Sequence, residues 1–67
     1  MQLQVNGNIV QLPNTLQYVI EVLTHYELEN KPVIVELNGQ IVMKESLHST
    51  TISEGDTLEI VHFVGGG

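Results

Sequence analysis

"TLQYVIEVL", residues Thr15 to Leu23, sets Leu16, Val19, Ile20 and Leu23 at i, i+3, i+4 and i+7. That spacing lines one face of a helix, and no other part of the chain repeats it convincingly. Pro13 cannot donate to a strand ladder and closes what precedes it, which leaves Asn14 or Thr15 to cap the helix. Downstream the helix fades between His25 and Asn30, because the residue before Pro32 is biased away from helical geometry.

Strand patterns lie on both sides of this helix. In MQLQVNG, Met1, Leu3 and Val5 face one way and Gln2 and Gln4 the other, the period of a half-buried strand. Asn6-Gly7 signals a two-residue hairpin because both positions tolerate positive φ, and Ile9, Val10 and Leu12 supply the returning strand. VIVEL, Val33 to Leu37, is β-branched and nearly continuously apolar, which predicts a central strand covered on both faces or nearly so. Asn38-Gly39 repeats the hairpin signal, with Gln40 to Met43 as a short return. Lys44 to Ser53 has no clean period and is expected to be a loop with one helical turn. Glu54-Gly55-Asp56 makes a turn into a last strand, Thr57 to Val64, with Leu58 and Ile60 on one face and Thr57, Glu59, Val61 and Phe63 on the other. One helix across a single face of a small sheet buries these positions economically, so the fold class is α+β. Leu3, Val5, Leu16, Val19, Ile20, Leu23, Val35, Leu58 and Ile60 are the expected core.

Composition narrows the chemistry. A chain of 67 residues supports one small domain, and such a domain buries only ~60% of its unfolded surface, leaving little room for a deep catalytic cleft. With no cysteine, disulfides, thiolate zinc sites and a catalytic cysteine are excluded. Eight acids against Lys31 and Lys44 give a formal charge of −6. That balance repels phosphate backbones, so nucleic acid is not an expected partner, and it suits a partner with a basic docking surface. No apolar stretch is long enough to span a membrane and no basic segment with an apolar signal core opens the chain, so a cytoplasmic protein is expected. His25, His48 and His62 lack the spacing of metal ligands. No nucleophile elbow surrounds Ser46, Ser49 or Ser53. Glu27 and Glu29, two apart, cannot face each other on a helix.

The ending FVGGG, Phe63 to Gly67, admits two explanations. Glycines at a terminus fray readily. Alternatively, the carboxylate of Gly67 is the working group, carried on a thin arm. Three extended residues span roughly 10 Å, enough to place Gly67 in a partner's pocket while the folded body stays outside. An ionised carboxylate resists nucleophiles and has to be activated. Val61, Phe63 and Val64, beside that arm, form the expected docking surface unless they pack under the Lys44 to Ser53 loop.

"LNGQIV" (Leu37 to Val42) and "EGDTLEIVHFVGGG" (Glu54 to Gly67), in this order and after a hairpin and a helix, resemble the β-grasp fold of ubiquitin-like sulfur carriers. The resemblance covers the whole chain and is nearest to the thiamine-biosynthesis ThiS family. It implies a β-grasp domain over residues 1–64 with a flexible glycine tail over 65–67. It also implies a carrier that is a substrate of other enzymes, with no cofactor of its own. A partner adenylating enzyme of the ThiF or E1-like kind would use ATP and magnesium to convert the carboxylate of Gly67, paired with Gly66, to an acyl-adenylate. A sulfur donor protein would turn this into a thiocarboxylate, and a ThiG-like thiazole synthase would take the sulfur. Gly65, Val64, Phe63 and Val61 would meet these partners. Family members often carry proline and arginine where Met43 and Lys44 stand, and Gly65 extends the tail by one glycine. The small subunit of molybdopterin synthase shares the fold and the Gly-Gly end, but its members usually run longer and often reach the tail through prolines. A ubiquitin-like binding or tagging module is the remaining alternative.

Overall fold

The computed structural model describes residues 1–62. Both Asn-Gly pairs turn as their chemistry requires. Asn6 and Gly7 adopt φ of 49° and 84°, and Asn38 and Gly39 adopt 51° and 85°. Two consecutive left-handed residues make the turn whose twist matches that of a hairpin. The first hairpin joins β1 (Gln2–Val5) to β2 (Asn8–Gln11) and the second joins β3 (Val33–Leu37) to β4 (Gln40–Val42). A 3-10 turn at Lys44–Ser46 interrupts the following loop, and β5 (Thr57–His62) comes last. The sheet order is β2-β1-β5-β3-β4, with β5 parallel to β1 and antiparallel to β3. The last strand in sequence is therefore the central one in space.

The helix, α1, spans Val19–His25 and starts later than the periodicity predicts. Leu16 sits in a turn closed by its own N–H donating to the Pro13 carbonyl at 3.3 Å. A helix leaves its first N–H groups without internal partners. Here the loop after β4 accepts two of them: Val19 N–H donates to the Thr50 carbonyl at 2.9 Å and Ile20 N–H to the Leu47 carbonyl at 3.0 Å. Glu21 reaches back to accept from the N–H groups of Gln17 and Tyr18 at 2.8 and 2.9 Å. Neither Asn14 nor Thr15 caps the helix, because its start is set by this tertiary contact. At the other end Glu27 N–H donates to Thr24 and Leu28 N–H to Leu23, the reciprocal pair of a Schellman stop. Glu27 takes the left-handed position, φ 60°, that glycine usually fills.

Leu3, Val5, Val19, Leu23, Val35, Leu58 and Ile60 are buried as expected, joined by Leu12, Val22 and Ile52. Leu16 and Ile20 only pack against this core's margin. The later helix start explains the exchange: Val19, Val22 and Leu23 now form the inward stripe. β3 differs from expectation more sharply. Val35 is buried, but Ile34 on the opposite face is 39% exposed, because among the described residues the helix and its loops cover one face of the sheet. The strand has a neighbour on each side but lies next to the edge strand β4, so β5 and not β3 is the central one. β4 ends at Val42, one residue short of the predicted Met43. No helix is long and apolar enough to cross a membrane among the described residues.

Candidate functional site

The central strand β5 delivers the chain to one end of the sheet. Its last described residue, His62, pairs with Val33 at the start of β3. Because β1 runs parallel to β5, the Asn6-Gly7 turn lies at the same end. Three structures therefore surround the point from which residues 63–67 continue: the β1–β2 hairpin, the beginning of β3, and the segment after α1. Fully extended, those five residues would reach roughly 17 Å from His62. Of the residues singled out in the sequence, Phe63, Val64, Gly65, Gly66 and Gly67 lie outside the described residues, as does the domain boundary placed after residue 64.

Val61 is described, and it is open. It exposes 55% of its surface on the sheet face away from the helix and stands directly opposite Ile34. The Lys44 to Ser53 loop does not cover it, since that loop lies against the start of α1 on the other face. Ile41, 62% exposed on β4, occupies the same outer face opposite Glu36. Glu36 in turn faces Glu59 across β3 and β5. Like charges directly opposite in a sheet destabilise it, so the fold carries a small cost here that a cation on a partner would relieve. Ile34, Ile41 and the Glu36–Glu59 pair were not expected from the sequence. The nearly continuous apolar run of β3 hides which of its residues face outward, and only the strand pairing sets Glu36 opposite both Glu59 and Ile41.

The start of β5 is held by side chains. Asn38 accepts a hydrogen bond from the Thr57 N–H at 2.9 Å and donates to Asp56 Oδ1 at 3.1 Å, while Asp56 Oδ2 accepts from the Ser53 N–H at 2.8 Å. Asp56 is thus engaged in the turn, as Asn38 is in clamping two strands. On the helix side, Val5, Val10, Tyr26, Leu28, Ile60 and His62 wall an open groove of about 360 Å³. No three histidines or acids gather to hold a metal among the described residues.

The ThiS family model matches residues 3–67 of this sequence. The chain belongs to the ThiS family. Sulfur carrier protein ThiS of Bacillus subtilis (strain 168) is 46% identical over 65 residues, covering 97% of this chain and 98% of that protein. A thiazole synthase of Paramagnetospirillum magneticum is 36% identical over 67 residues, all of this chain but only 20% of that longer protein. The crystal structure of the thiamine biosynthesis protein ThiS from Geobacter metallireducens superposes with a TM-score of 0.83 at 35% identity, each chain covered in full. The ubiquitin-like β-grasp expected from the motifs is therefore the fold of this ThiS family member.

Proposed function

We propose that this protein is a sulfur carrier of thiamine biosynthesis whose reactive group is the carboxylate of Gly67. The observation that carries this is the 46% identity to the Bacillus subtilis carrier across 97% of the chain. The carboxylate oxygen attacks the α-phosphorus of ATP on a partner adenylating enzyme, forming the acyl-adenylate and releasing pyrophosphate. Magnesium on that enzyme neutralises phosphate charge. A hydrosulfide equivalent from a sulfur donor protein then displaces AMP and leaves a thiocarboxylate. Gly65 and Gly66 let the arm pass a narrow channel with dihedrals that side chains forbid. The protein supplies reach and recognition, and the enzymes supply the chemistry.

Recognition falls to the outer face of the sheet. Val61, Ile34 and Ile41 offer apolar surface, and Glu36 and Glu59 select a partner that brings cations. Phe63, Val64 and Gly65, outside the described residues, belong to the same proposed contact. Ordering the glycines costs about 1–2 kcal/mol each, and burial of this apolar surface offsets it. A thiazole synthase as the acceptor of the sulfur is supported by the Paramagnetospirillum magneticum protein of that name, part of which resembles this whole chain.

The test is intact mass after incubation with ATP, magnesium, a sulfide source and the cognate adenylating enzyme. Exchange of one terminal oxygen for sulfur in the protein, absent from a variant lacking Gly67, is the expected outcome. No exchange by an enzyme that loads another carrier in parallel refutes the function.

A further inference from the structure

The pairing of β1 with β5 ends early. Its register stops at Val5 opposite Leu58, because the chain turns away at Asn6-Gly7. Beyond that point β5 has no backbone ladder partner on this side among the described residues, yet it continues to His62. The Asn6 side chain fills the gap. Its Oδ1 accepts from the Ile60 N–H at 2.7 Å and its Nδ2 donates to the Ile60 carbonyl at 3.1 Å, both bonds partly buried. Its backbone N–H meanwhile donates to the Leu58 carbonyl at 2.9 Å. A carboxamide has the donor and acceptor of a peptide group, so Asn6 adds one more rung to the ladder after the backbone has left it.

From this geometry we infer that Asn6 is a positioning residue for the carrier arm, and the inference rests on the sulfur-carrier function proposed above. The rung keeps both edges of β5 engaged up to Ile60, two residues short of His62 and seven short of Gly67. It fixes the place and direction from which the arm starts. Without it, β3 is the one strand among the described residues that holds Ile60 to His62, and the stretch a partner has to order begins nearer the core. A partner would then have to order additional residues before Gly67 reached the reacting phosphate, which lowers the fraction of productive encounters. The turn itself does not require this side chain, since glycine satisfies the same left-handed dihedral.

Asn6→Gly separates the two roles, keeping the turn while deleting the rung. Ile52→Val is the companion: it trims a buried residue outside β5 and destabilises the fold without touching the ladder. Pyrophosphate release by the cognate adenylating enzyme is measured for wild type and both variants at a temperature where all are folded, with amide exchange at Ile60 and His62 followed by NMR. In N6G, kcat/KM falls about 10- to 100-fold and exchange at Ile60 accelerates, while I52V stays within about twofold of wild type. A folded N6G that matches I52V overturns the positioning role and leaves the carrier function standing. Wild-type protein that is not adenylated overturns the carrier function and this inference with it.

Discussion

Val61→Thr tests the outer face at its most exposed point beside the arm. Threonine keeps the branched shape and the strand preference of valine, so the fold is expected to change by no more than about 0.5 kcal/mol. Fully burying a valine side chain contributes ~1.5–3 kcal/mol. Val61 still exposes 55% of its surface, so covering the remainder on a partner contributes about 0.8–1.6 kcal/mol. The hydroxyl forfeits part of that gain and adds the desolvation of a polar group with no assured partner, about 1–3 kcal/mol when fully buried. A net loss of about 1–2 kcal/mol corresponds to a Kd raised about 5- to 30-fold. Calorimetric titration against the adenylating enzyme reads this directly. In steady-state assays KM rises with kcat unchanged, because the contact is the same in the ground and transition states. Ile34→Thr should act in the same direction, and the double variant should fall short of the sum, since the two side chains are directly opposed. Folded V61T that binds within twofold of wild type would refute the docking face.

Further outcomes follow from the same geometry. Leu58→Ala, at a position with 0% exposure, should cost about 2–5 kcal/mol, enough to leave much of so small a domain unfolded in a urea titration. Glu27→Gly should be more stable than Glu27→Ala by about 1 kcal/mol, since only glycine relieves the positive φ; equal melting midpoints would contradict the strain at the helix stop. Glu59→Lys turns a repulsion with Glu36 into an attraction and should stabilise the isolated protein by about 0.2–1 kcal/mol. The same change should weaken partner binding and flatten its dependence on salt. Appending one residue after Gly67 should abolish sulfur loading while leaving the circular dichroism spectrum unchanged.

The hairpins were legible from the chain alone because Asn6-Gly7 and Asn38-Gly39 carry their conformation locally: positive φ is cheap there and costly elsewhere. The alternation in β1 and β5 named their inward faces for the same reason, since side-chain direction in a strand depends only on its own backbone. The acidic balance led to the expectation of a partner with a basic surface. What the tertiary structure decided were the relations between distant segments. Leu47 and Thr50 accept the first helical N–H groups, so the helix begins at Val19 and Leu16 is left outside it. Leu12 and Ile52, in no regular element, are buried where the two long connections cross the core. The apolar run of VIVEL predicts cover on both faces, yet among the described residues Ile34 stays partly open beside Val61 on the face away from the helix. Asn6 was accounted for by its turn, and no local pattern reveals that its amide also finds Ile60, 54 residues away. Such pairings depend on which strand lies beside which, a choice made by burial of the whole apolar set at once.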